Sequence, residues 1–235
     1  MAQHSNRAAG PAGAAASHPA GAAAPDAKAR REPAARVRMT SAQRREQLIK
    51  VARSLFAEHG VDATSVEEIA AVAAVSKPII YEHFGSKDGL YAVIVDRETQ
   101  RLESAITQAL TTPGARYSEI IERGVLALLD YIDECPEGFR IISRDSSATT
   151  GSFASILSDI TMNVEDLLRP GLKKHGFDPK LAGPFGQALV GLVAMAGQTW
   201  LETRKPAKDV LAAQLVNLAW NGLANLEHKP TLVTR

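Results

Sequence analysis

The apolar residues after residue 40 are spaced as in α-helices, almost without a break to the end of the chain. Leu48, Val51, Ala52, Leu55 and Phe56 repeat at i, i+3, i+4, i+7 and i+8, which places them on one face of a helix. Later segments repeat the same pattern. The chain is therefore predicted to adopt an all-α fold.

Capping residues predict where the first two helices begin and end. Ser41 is a suitable N-cap for the first helix, and Gly60 is a suitable stop. Ser65 and Glu68 have the spacing of a capping box, in which hydroxyl and carboxylate each accept from the other residue's backbone N–H. The second helix is therefore expected to begin at Ser65 and to be short.

A third and a fourth helix follow at once. Ser76 is predicted to cap the third helix, with Pro78 in the first turn, where a missing N–H costs nothing. Gly85 is expected to end that helix, and Ser86 to cap a long fourth helix that reaches about Leu110.

Two short helices joined by a tight turn, after a longer helix, predict a helix-turn-helix. The second helix of this motif normally lies in the major groove of DNA. Its sequence and the start of the next helix supply groups that hydrogen-bond phosphates or base edges, namely Ser76, Lys77, Tyr81, His83 and Lys87.

The segment from Thr64 to Leu90 resembles the TetR family of transcriptional regulators. The specific part is the string Tyr-x-His-Phe-x-Ser-Lys at residues 81–87, which follows the helix-turn-helix at the family's spacing. The resemblance covers about residues 41–95. It implies a three-helix DNA-binding head followed by a helical-bundle regulatory and dimerisation domain. It also implies a homodimeric repressor that binds a palindromic double-stranded DNA operator and is released by an unknown small-molecule effector.

The resemblance also implies roles for individual residues. It implies phosphate contacts for Tyr81, Lys87 and His83, and contacts in the major groove for Ser76, Lys77 and Pro78. It implies contacts with the DNA backbone for Thr64 and Ser65. Ala74 departs from the family, which often has glycine in the turn, and alanine enters a left-handed conformation only at some cost. Ile79 either contacts a thymine methyl group or packs inside the head.

We divide the chain into a tail (1–38), a DNA-binding head (39–90) and a regulatory body (91–235). The body is predicted to hold helices over 118–134, 137–144, 153–174, 181–203 and 208–226, with a loop over 145–152. The last two helices combine many small residues with a leucine stripe, which suits close helix packing. They are expected to form the dimer interface, and the alternative is that they are ordinary core of a monomer.

An effector is expected among the central helices of the body, where bundles hold pockets. The candidate lining residues are large side chains, namely Tyr131, Phe139, Phe153, Met195 and Trp200. Each of them could equally be simple core.

The first 38 residues differ in composition from the rest of the chain. They contain 15 Ala, 3 Gly and 4 Pro but no Leu, Ile, Phe, Tyr or Trp, so they are predicted to be disordered. Their net charge is +4 and that of the remaining residues is −3, although the whole chain has only +1. The tail is either a solvated extension or a basic arm that contacts phosphates.

The sequence lacks the motifs that would indicate several other functions. The single cysteine excludes a disulfide framework and a cysteine-built zinc site. No motif for catalysis, metal binding or a cofactor occurs, so we predict no enzyme, no metal and no cofactor. No apolar run approaches the roughly 20 residues that cross a bilayer, so a cytoplasmic protein is expected. The remaining alternative is an all-helical protein-interaction module without sequence-specific DNA binding.

Overall fold

The computed structural model describes residues 39–144, 153–232 and 234. Within them the chain forms α-helices and one short 3-10 helix (Pro179–Leu181), and no strand, which confirms the predicted all-α class. The helices are α1 (Ser41–His59), α2 (Val66–Val72), α3 (Lys77–Phe84), α4 (Lys87–Leu110), α5 (Tyr117–Glu134), α6 (Pro136–Arg144), α7 (Phe153–Lys174), α8 (Ala182–Thr203) and α9 (Lys208–Ala224). The predicted tail and the predicted loop at 145–152 lie outside the described residues.

The helix caps agree with the sequence at most positions and differ at three. Thr40, not Ser41, caps α1: its hydroxyl accepts from the Gln43 N–H at 3.2 Å, and the Gln43 carboxamide accepts from the Thr40 N–H at 2.8 Å. Ser65 caps α2, but the Glu68 carboxylate lies 3.3 Å from Nδ1 of His59. Ser76 precedes α3 without a side-chain cap bond.

The turn between α2 and α3 contains the left-handed residue that the motif requires. Ala74 has φ 52°, and the next N–H, that of Val75, donates to the Ala70 carbonyl at 2.9 Å. An alanine in this conformation costs about 1 kcal/mol relative to the right-handed region. The hydrogen-bonded turn therefore keeps its geometry without glycine.

Helix α4 connects the N-terminal helices to the rest of the molecule. Its buried face carries Leu90, Ile94, Leu102, Ile106 and Leu110, and it packs on α1, α3, α5, α6 and α7. The described residues from 39 onward form one compact unit with one continuous core. Our proposed boundary at residue 90 falls inside α4, so the head and the body share this helix.

Candidate DNA-binding surface and effector cavity

The first turn of α3 lies on the surface and carries polar groups. Ser76, Lys77 and Pro78 are exposed, while Ile80 on the opposite face is completely buried. The Lys77 ammonium forms an ion pair with the Glu67 carboxylate of α2. The buried face anchors α3, and no neighbour among the described residues covers its exposed N-terminal face.

The second turn of α3 continues this surface. Tyr81 is 48% exposed, and His83 is half-buried with its ring 6.0 Å from that of Phe84. Ile79 is half-buried and packs against the core, which favours the packing role over contact with a thymine. The Arg45 guanidinium lies 4.6 Å from the Phe84 ring centroid and holds this end of α3 against α1.

Two residues predicted to contact DNA have other partners. Thr64 is only 1% exposed, and its hydroxyl donates to the Gly60 carbonyl at 2.8 Å. The predicted contact of Thr64 with the DNA backbone is therefore corrected: this side chain stabilises the turn between α1 and α2. The Lys87 ammonium donates to the carbonyls of Val61 at 2.6 Å and Thr64 at 3.1 Å. Lys87 therefore ties that turn to the start of α4. Ser65 is exposed, and its hydroxyl accepts from the Glu68 N–H at 3.1 Å.

A cavity of about 480 Å³ lies among α4, α5, α7, α8 and α9. Of the five predicted lining residues, Phe153 alone belongs to its wall. Most of the other lining residues are aliphatic, such as Leu102, Ile106 and Ile160, and the rest of the wall includes the rings of Tyr117, His175, Phe177, Trp220 and His228.

The other four predicted pocket residues do not line this cavity. Tyr131 and Phe139 are buried in the core with their rings 6.3 Å apart. The Trp200 indole donates to the Pro206 carbonyl at 2.8 Å, so it pins the α8–α9 connection. Met195 is 51% exposed on the outer face of α8. These side chains fill space in the core or lie on the surface, whereas most of the residues that line the cavity are aliphatic.

Sequence reasoning missed a buried polar network between α1 and the body. Arg53 of α1 donates to Glu98 of α4 at 3.1 Å and to Glu137 of α6 at 3.2 Å. The Tyr131 hydroxyl donates to the same Glu98 carboxylate at 2.9 Å, and burial raises the pKa of this phenol, so it remains a donor. The sequence does contain a signal for this network. Glu98 lies four residues after Ile94 and four before Leu102, so it occupies the buried, otherwise apolar face of α4.

The outer faces of α8 and α9 expose apolar side chains. Met195 on α8 and Val210 and Leu218 on α9 are 51%, 51% and 60% exposed. A Cβ added at Gly191 of α8 or Gly222 of α9 would have no neighbour within 4 Å. These two helices therefore offer small and apolar surface that the described chain does not cover.

Other kinds of site are not found in the described residues. They hold no group of three or more His, Cys, Asp or Glu side chains arranged for a metal ion. None of their helices combines the length and the apolar character that spanning a membrane requires. Burial raises the pKa of the Cys135 thiol, which disfavours a reactive thiolate.

Comparisons with known proteins match this architecture. The model of the family described as bacterial regulatory proteins, tetR family, matches residues 48–94. The chain is 30% identical over 186 residues to the HTH-type transcriptional activator FasR of Mycolicibacterium smegmatis, covering 78% of this chain and 84% of that protein. It is 25% identical over 188 residues to an uncharacterized HTH-type transcriptional regulator of Mycobacterium tuberculosis, with 78% and 79% covered. A crystal structure of a TetR-like transcriptional regulator from Rhodococcus sp. RHA1 superposes with TM-score 0.69 at 28% identity, covering 80% of this chain and 100% of that one.

Proposed function

Since the chain belongs to the TetR family and is a DNA-binding transcriptional regulator rather than an enzyme, we propose that it binds a palindromic operator as a homodimer and is released by a small molecule. The observation that carries the proposal is the exposed N-terminal face of α3, backed by the buried Ile80. Selection of bound DNA from random sequences tests it. We expect two inverted half-sites about one helical turn, or a multiple of it, apart. Absence of any selected sequence would favour the interaction-module alternative.

We propose Ser65, Ser76, Lys77, Pro78, Tyr81 and His83 as the DNA-contacting set, because each of these residues is exposed or half-buried and each lies at the start of α2 or on α3. Lys87 contributes to DNA binding by holding the α1–α2 turn in place, and its hydrogen bonds to two carbonyls of that turn support this positioning role. The proposed sequence-reading head is thus residues 39–90, and the proposed effector-binding and dimerisation part is residues 91–235. DNA binding is consistent with a cytoplasmic site of action.

Tyr81→Phe is expected to weaken operator binding about tenfold without changing stability, because one hydrogen bond to a charged phosphate contributes roughly 1.5 kcal/mol. Met162→Leu is the control, since Met162 is 55% exposed but lies on α7 in the body. Fluorescence anisotropy with labelled operator measures both affinities. Equal affinities for the two variants and the unmodified chain would remove Tyr81 from the contact set.

The proposed dimer interface is the outer surface of α8 and α9. Leu218 and Met195 are largely exposed there, and the glycines at 191 and 222 allow a second copy to approach closely. An interface with a two-fold axis uses the same patch on both copies and spaces two recognition helices for two half-sites.

Leu218→Ala is expected to raise the dissociation constant of the dimer about 30-fold, since about 1 kcal/mol of apolar burial is lost in each copy. Met162→Ala is the control, because Met162 is an exposed apolar residue (55%) on α7. Sedimentation equilibrium over a dilution series measures the constant. A shift of the same size in Met162→Ala would contradict the proposed surface.

The direction of regulation has two candidates. Repression is our proposal, because the effector in this scheme dissociates the protein from its operator. Activation is the second candidate, because the relative FasR is named a transcriptional activator. A reporter gene driven by the selected operator distinguishes them: deletion of the regulator raises expression under repression and lowers it under activation.

A further inference from the structure

The cavity walls restrict the chemistry of whatever fills the cavity. Among the described residues that line it there is no Asp, Glu, Lys or Arg and no Ser, Thr, Asn or Gln. A polar ligand group buried without a partner costs roughly 2–7 kcal/mol. The enclosed part of the ligand is therefore hydrocarbon.

The cavity is also long. Helix α7 lines it from its first residue, Phe153, through Ile160 and Leu167 to Leu172, and His175 continues the wall just beyond the helix. At a rise of 1.5 Å per residue, this wall extends about 30 Å. A wall of that length fits an extended chain better than a compact ring system.

The polar side chains gather at one end of the cavity. The Tyr117 hydroxyl lies 3.3 Å from the position of a Cβ on Gly171, and the His228 ring stacks on Phe177 with centroids 4.2 Å apart. Tyr117, His175 and His228 all line the cavity and are all exposed to solvent. This end, around the last turn of α7, is therefore the polar mouth of the cavity.

From this polarity we infer that the effector is a long unbranched fatty acyl compound. Its chain lies along α7, and its head oxygens accept hydrogen bonds from Tyr117, His175 and His228 at the mouth. The arrangement lets the hydrocarbon leave water while the head stays solvated, which is the favourable placement for a single-chain amphiphile. This inference rests on the proposed function, since it names the ligand class of the proposed effector site.

The experiment titrates the protein with saturated fatty acids of 8 to 16 carbons and follows the fluorescence of Trp220, which lines the cavity. Trp220→Phe identifies its share of the emission, because the chain has two tryptophans. Affinity is expected to rise about fourfold for each added methylene until the cavity is filled. A thioester of the same chain, run in parallel, distinguishes a free acid from a carrier-bound acyl group.

Two variants locate the ligand. Val193→Phe narrows the cavity wall on α8 and is expected to weaken the longest acid more than the shortest. The double variant His175→Ala and His228→Ala is expected to weaken the acids about tenfold while leaving binding of a naphthalene-based apolar dye unchanged. Equal weakening of acids and dye by the histidine changes would overturn the assignment of the head group.

The outcomes separate this inference from the proposed function. If the dye binds but neither the fatty acids nor the thioester bind at any chain length, the acyl inference fails and a different apolar effector remains. If the acids bind with the expected chain-length dependence but the operator complex is unchanged, ligand release fails and the acyl site stands. If the acids, the thioester and the dye all fail to bind, the acyl inference and the placement of the effector in this cavity are both overturned.

Discussion

Replacing Gly89 with alanine is expected to lower the free energy of unfolding by about 3 kcal/mol, the upper end of the usual cost of overpacking. A Cβ at this position would lie 2.2 Å from the carbonyl oxygen of Phe84, the last residue of α3. That oxygen belongs to backbone, so relief requires α3 and α4 to move apart. The expected fall in the melting temperature is roughly 6–12 °C.

The same change is expected to weaken operator binding, because Phe84 lies one turn after the exposed Tyr81 on α3. Gly89 also donates its N–H to the Ser86 cap at 2.9 Å, so movement of this residue breaks the start of α4. Asp88→Ala is the control in the same turn; its loss of a favourable helix-dipole interaction costs about 0.5 kcal/mol. Calorimetry and anisotropy measure the two effects. A melting temperature equal to that of Asp88→Ala would contradict the steric argument.

Local signals were sufficient for most of the fold. Caps and glycine stops depend on a few neighbouring residues, so α2, α3 and α4 begin directly after Ser65, Ser76 and Ser86 as predicted. Thr40 and Ser41 both carry a hydroxyl, and the choice between them depends on whether Gln43 can reach back, which the residue types alone do not determine.

The candidate site was less predictable, because burial and partners come from distant parts of the chain. A lysine in the motif suggests a phosphate contact, but the carbonyls of Val61 and Thr64 lie 26 and 23 residues before Lys87. A cavity is defined by the space that side chains leave, and a large aromatic residue such as Phe139 fills the space around it. Aliphatic walls have the same sequence pattern as ordinary core.

The network around Glu98 joins the helix-turn-helix unit to the body and was not predictable from either segment alone. Glu98 is 6% exposed, and its only cationic partner among the described residues is Arg53, 45 positions earlier. Gly138 allows this packing, since a Cβ there would lie 2.4 Å from the Glu98 carboxylate. The arrangement links α1, α4, α5 and α6 at one point.

Arg53→Met is expected to cost about 3 kcal/mol, because it leaves a buried carboxylate with the Tyr131 hydroxyl but without a cation. The value lies at the lower end for a broken buried pair, since the Arg53 side chain is 27% exposed. Arg97→Met is the matched control. Its partner Glu46 is at 2.7 Å, but both side chains are exposed, so this ion pair contributes about 0.5 kcal/mol.

A second change distinguishes the lost charge pair from lost packing. Adding Glu98→Met to Arg53→Met removes the unpaired carboxylate and is expected to recover at least half of the lost stability, because an apolar pair can replace a buried ion pair. Urea denaturation of the unmodified chain, Arg53→Met, Glu98→Met and the double variant measures the coupling. Additive losses would mean that Arg53 stabilises the protein through its packing on α4 and α6, whereas recovery in the double variant assigns the loss to the unpaired Glu98.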